Sequence, residues 1–143
     1  MHFPSDTHIH VIGQGLLDRT LPKADWTHAA HLAAAAWLLA VRPDIDAPTQ
    51  MPDIIRAYNE AVGTANTDTG GYHHTITLAS LRAVGDFLSR QPTGTPLHIA
   101  CEELLKSPYG DKAWLMRYWS PDLLFSKEAR LGWIAPDRAP LPF

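Results

Sequence analysis

Apolar residues recur at helical spacing along most of this chain. Ile9, Ile12, Leu16 and Leu17 share one face of a first helix, because residues three and four apart align at about 100° per residue. Ser5 or Asp6 caps its start, and Leu21-Pro22 closes it just beyond Arg19. The run from His28 to Val41 is almost wholly apolar. It predicts a buried second helix, capped by Thr27 or Asp25 and ended by Pro43, since proline cannot continue the hydrogen-bond ladder. A proline-rich connector, Pro43 to Pro48, leads to a third helix from Pro52 to Val62, with Ile54, Ile55, Tyr58 and Ala61 as its apolar face and Gly63 as its stop. The small, polar loop Thr64 to Gly71 precedes a fourth helix, His73 to Ser89, on which Ile76, Ala83, Val84, Phe87 and Leu88 share a side. After a break at Gln91 to Thr95, shorter helices are expected over Pro96 to Lys106 and Asp111 to Trp119, then fragments at Pro121 to Phe125 and Lys127 to Leu131. The proline-rich tail from Ala135 to Phe143 reads as extended chain. No stretch alternates with period two and no repeat is visible. The expectation is an all-α fold, one compact domain over residues 1–143, with about four main helices, shorter C-terminal helices and an irregular tail.

A chain of 143 residues matches a single domain and can bury a core without staples. Its formal charge of −3 and lack of a basic, aromatic-interleaved patch argue against nucleic acid as a partner. The lone cysteine, Cys101, sits in Ile-Ala-Cys-Glu-Glu without a nearby cation, so it reads as an inert packing thiol suited to a reducing compartment. The start of the chain has no cationic region followed by an apolar one, which predicts no signal peptide. The longest apolar segment, Leu32 to Val41, is half of a membrane span. A soluble, cytoplasmic protein without a membrane partner is expected.

The candidate chemistry lies in Trp26-Thr27-His28-Ala29-Ala30-His31-Leu32. His28 falls within about 40° of Leu32, Ala35 and Leu39 on the helical wheel, and His31 about 60° to one side, so both imidazoles point along the core-facing stripe. Neutral imidazole is a common ligand for zinc and related ions, and histidines at i and i+3 can reach one ion. On the fourth helix His73 falls near the apolar centre beside Ile76, Ser80 and Val84, with the adjacent His74 about 100° away. His73 is therefore the third candidate ligand and His74 the reserve. The site would take a divalent ion (zinc, nickel, iron or manganese), with Glu60 or Asp68 assisting a bound water in hydrolysis. The alternative is a non-catalytic domain binding a small molecule or a partner. In that reading His28, His31 and His73 are structural and hold the Asn66–Thr69 loop against the bundle. His8 and His10 point to opposite sides of the first helix and are not joint ligands. The loop before His73 lacks the lysine and preceding strand of a phosphate-binding loop. Trp114, Tyr118, Trp119, Phe125 and Trp133 read as core and lid packing.

The Trp-Thr-His-x-x-His-Leu segment joins other stretches in a recognisable pattern: Tyr58-Asn59-Glu60-Ala61, Asn66-Thr67, Gly71-Tyr72-His73-x-Thr75-Ile76-Thr77, Tyr118-Trp119-Ser120-Pro121 and the proline-rich close. Together they resemble a family of small bacterial all-α proteins of no established activity, and the similarity spans nearly the whole chain. The family pattern carries a glutamate after the Tyr-His pair, where this sequence has His74. The resemblance thus implies a helical fold but no particular reaction.

Overall fold

The computed structural model describes residues 2–143, which are helical with no strand among them. Helices α1 (Asp6–Asp18), α2 (His28–Val41), α3 (Ala47–Ala61), α4 (His74–Ser89) and α5 (Leu97–Lys106) form the body, and single-turn helices α6 (Pro121–Leu124) and α7 (Lys127–Leu131) follow. Five helices carry the fold, one more than the four set apart as principal, because α5 packs against both α1 and α2. The 3-10 turns Pro108–Gly110 and Lys112–Arg117 join α5 to α6. No helix of the described residues is long and apolar enough to cross a membrane.

Side-chain caps set the first two helix starts. Ser5 Oγ accepts from the His8 amide at 3.3 Å, and Thr27 Oγ1 from the Ala30 amide at 3.2 Å, each satisfying an amide with no partner inside the helix. Helix α2 is the central strut and touches α1, α3, α4 and α5. Every residue from Leu32 to Leu38 is buried, as expected of a helix apolar all round. Its alanines let neighbouring backbones approach, and Trp37 fills the space beside Gly13 of α1, where a Cβ would lie 2.2 Å from Trp37 Cε3.

Helix α3 corrects the sequence reading. It begins at Ala47 rather than Pro52 and absorbs much of the supposed connector. Pro48 sits in the first turn, where a missing N–H removes no helical bond. Asp46 organises the start: its amide donates to Gln50 Oε1 at 2.7 Å and its carboxylate accepts from Thr49 Oγ1 at 2.9 Å. Pro52 then lies inside the helix and is buried there. Its lost bond is confined to the second turn.

A second apolar cluster joins Ala79 and Ala83 of α4 to Trp114, Leu115, Trp119 and Leu124. The tail is irregular, as expected, but well fastened. Thr75 Oγ1 donates to the Gly132 carbonyl at 2.8 Å and accepts from the Ile134 amide at 3.1 Å. Trp119 Nε1 donates to the Ile134 carbonyl at 2.9 Å, and Asp137 accepts from both the amide and hydroxyl of Ser120 at 2.7 Å. Trp114 and Trp119 are core residues, whereas Phe125 and Trp133 stay 56% and 36% exposed. A one-turn helix such as α6 can bury Leu124 but not its neighbour, about 100° further round. Cys101 is buried, and that burial, with Asp6 and Glu102 nearby, pushes its thiol up to about 12.

Candidate functional site

Thr27 caps α2, so His28 and His31 both fall in its first turn. His28 is half-buried, and its Nε2 donates to the Tyr109 carbonyl at 2.9 Å. His31 turns back on its own helix, where Nδ1 donates to the Thr27 carbonyl at 2.6 Å. Its ring stacks on Trp26 at 3.7 Å between centroids with 27° between planes. A carbonyl only accepts, so each bonded nitrogen carries the proton and the other nitrogen of the neutral ring is a bare acceptor. Those acceptors are His28 Nδ1 and His31 Nε2.

His73 is placed differently from the sequence reading. It is the N-cap of α4, not a residue of its apolar face, and the helix starts at His74. Its Nδ1 accepts from the Ile76 amide at 3.2 Å and its Nε2 donates to the Leu124 carbonyl at 2.7 Å. Both nitrogens are therefore engaged, in a side chain only 8% exposed. Burial lowers its pKa, and the Leu124 bond opposes that shift. Histidine is not among the preferred capping residues, so this role has no signature in the sequence. The neighbouring His74 is half-buried and accepts from the Tyr72 hydroxyl at 2.9 Å on Nδ1.

None of the three histidines reaches the Asn66–Thr69 loop, contrary to the structural expectation. Asn66 itself holds that loop: its Oδ1 accepts from Asn59 Nδ2 and the Tyr72 amide, both at 3.0 Å, and its Nδ2 donates to the Arg56 carbonyl at 3.2 Å. Glu60 is exposed at the end of α3 and lines neither of the cavities described next. Asp68 is exposed and pairs with Lys127 at 3.2 Å. Among the described residues no three His, Cys, Asp or Glu side chains are grouped so as to hold a metal ion.

What the structure does bring together is a cavity of about 600 Å³ between α2, α3, α4 and the C-terminal turns. Leu32 and Ala35, Met51 and Ile55, and Ile76 and Leu81 form its apolar walls together with Trp114, Leu124 and Phe125. His28, His31, Thr77 and Ser80 are the polar residues of the inner wall. A second cavity of about 400 Å³ shares His31, Ile55, Ile76 and Thr77 with the first. His31 thus lines both, and its side chain stays exposed rather than buried along the core-facing stripe. The indole Nε1 of Trp114, another lining residue, is buried without a hydrogen-bond partner.

The crowding around His31 sets its charge. Burial drives its pKa down from 6.5 to about 4; the Thr27 carbonyl opposes this and His28 adds to it. The positive end of α2 acts in the same direction. Because the folded value is depressed, the unfolded chain takes up the proton first as pH falls. The associated stability is present above pH 6.5 and drains away between about 6.5 and 4. Urea unfolding of the native protein and His31→Phe across that window should give a shallower pH dependence for the variant. Parallel curves would show that His31 does not titrate as its surroundings dictate.

Sequence reasoning found His28 and His31 but missed their partners. Tyr109 meets His28 through a backbone carbonyl 81 residues away, which no side-chain pattern encodes. Trp26 was visible beside the motif, but its stacking depends on the turn between α1 and α2. Compared with protein-family models, curated proteins and solved structures, the chain gives no match. Fold and site define an all-α protein with a largely apolar cavity whose lining includes two imidazoles, His28 and His31.

Proposed function

We propose that this chain is a non-catalytic helical binding domain whose ligand is a small, mainly apolar molecule held in the cavity between α2, α3 and α4. The observation that carries this reading is the cavity itself, about 600 Å³ with apolar walls and a few polar groups on one side. Its size and lining match small-molecule pockets, which run about 300–1,000 Å³ and use few polar groups for orientation. The hydrogen bonding of the histidines favours the same reading over a metal-dependent hydrolase. His73 has spent both ring nitrogens on its own helix and on Leu124, which leaves a two-histidine pair where such catalysis needs three protein ligands.

Titration with Nile red, a neutral dye without hydrogen-bond donors, tests the proposal. A blue-shifted, saturable fluorescence signal with one site per chain is expected. Ser80→Phe, which fills the inner wall without breaking any hydrogen bond of Ser80, should abolish it while the helical circular dichroism spectrum persists. Failure of the folded protein to bind, or equal binding by Ser80→Phe, would overturn the cavity reading. A stoichiometric divalent ion in tag-free protein would restore the metal-dependent one.

A further inference from the structure

The two imidazoles of the cavity's polar side share one chemistry. His31 has committed its only N–H to the Thr27 carbonyl at 2.6 Å, and His28 has committed Nε2–H to the Tyr109 carbonyl at 2.9 Å. The neutral form of each imidazole is therefore left with a lone pair, not a proton, on its other nitrogen. In His31 the bonded Nδ1 is next to the ring's attachment point and is directed back at the helix. Nε2 lies on the distal side of the ring, which lines both cavities. Thr77 cannot supply a donor either, since its hydroxyl hydrogen goes to the His73 carbonyl at 2.8 Å. The charged residues of the wall, Asp111 and Lys112, are exposed, adjacent in sequence and opposite in sign. They impose no net charge on the ligand.

Resting on the cavity reading above, we infer that the bound molecule carries a neutral hydrogen-bond donor at its polar end, an alcohol, phenol or N–H group. That group is received by His31 Nε2 with His28 Nδ1 beside it, and the apolar remainder lies along α2 and α3. An ether of the same shape leaves the acceptors unpaired. At His31 a carboxylate brings lone pairs against a lone pair, and the ring resists the protonation that would relieve the repulsion, its pKa being lowered to about 4 by burial. At the α2 N-terminus the Ala30 N–H is taken by the Thr27 hydroxyl and the His31 N–H by the Thr27 carbonyl.

The experiment is competition against bound Nile red at pH 7 by 4-nonylphenol, 4-nonylanisole and 4-nonylbenzoate, which share a tail and differ at the head. The phenol should displace the dye about tenfold or more better than the ether, the difference one satisfied acceptor makes, and better than the carboxylate. His31→Phe keeps a flat ring for Trp26 and removes the acceptor, so it should bring phenol and ether to within about twofold. If that variant fails to fold, the native protein still gives the answer by ¹⁵N resonance. The His31 Nε2 signal should move with 4-nonylphenol and stay with 4-nonylanisole. Equal competition by phenol and ether, or preference for the benzoate, overturns the donor assignment while leaving a Nile red site in place. Absence of Nile red binding to the folded native protein overturns the cavity reading, and this inference with it.

Discussion

His73→Ala is expected to lower the unfolding free energy by about 2–4 kcal/mol, a drop of about 6–15 °C in Tm for a chain of this size. Two losses add. The first is the cap: without Nδ1 the Ile76 amide at the start of α4 loses its acceptor, worth about 1 kcal/mol. The second is the long-range bond at 2.7 Å to the Leu124 carbonyl, a buried position where an unpaired acceptor costs about 1–3 kcal/mol. His73→Asn separates them, because asparagine caps well but is too short to span to α6. It should recover about 1 kcal/mol of the loss. His74→Ala, which gives up only the Tyr72 hydroxyl contact of a half-buried ring, should cost less than His73→Ala. Thermal melts of all three with and without a chelator make the check. A deficit that disappears when the native protein is stripped of metal would return His73 to the role of metal ligand.

Gly13→Ala is expected to destabilise the protein by about 2–3 kcal/mol, although helix propensity alone predicts the opposite sign. Gly13 lies in the middle of α1, and alanine there would gain about 1 kcal/mol in an isolated helix. In the folded chain its new Cβ would sit 2.2 Å from Trp37 Cε3 and 2.4 Å from Cδ2. Trp37 is 2% exposed and surrounded by core, so the indole has nowhere to retreat without displacing α1 from α2. The overlap outweighs the propensity. Gly13→Ala paired with Trp37→Leu should be less destabilised than the two single losses summed, since the smaller side chain leaves room for the methyl group. Chemical denaturation of the four species measures that coupling, and strict additivity would remove the contact as the cause.

The helical class, the caps of the first two helices to within a choice of two residues each, and the burial of Leu32 to Leu38 were legible in the residues themselves. Each depends on neighbours within one or two turns, and local periodicity and capping chemistry determine such features. The start of α3 was not, because Pro48 and Pro52 look like breakers until Asp46, Thr49 and Gln50 close the first turn around Pro48 and ahead of Pro52. The candidate site divides in the same way. Sequence spacing placed His28 and His31 in one helical turn, as found, but expected both to face inward, whereas His31 is exposed. It could not tell which nitrogen of each ring is spent, because the answer for His28 is a carbonyl on Tyr109 brought in by the turn after α5. It also set His73 on a helix face, when the carbonyl of Leu124 and the amide of Ile76 hold that ring at the helix's head. Backbone groups carry no residue signature, so their long-range hydrogen bonds leave no trace in the sequence. Local chemistry made the helices. Only tertiary packing decided that two of the histidines wall a cavity and the third caps a helix.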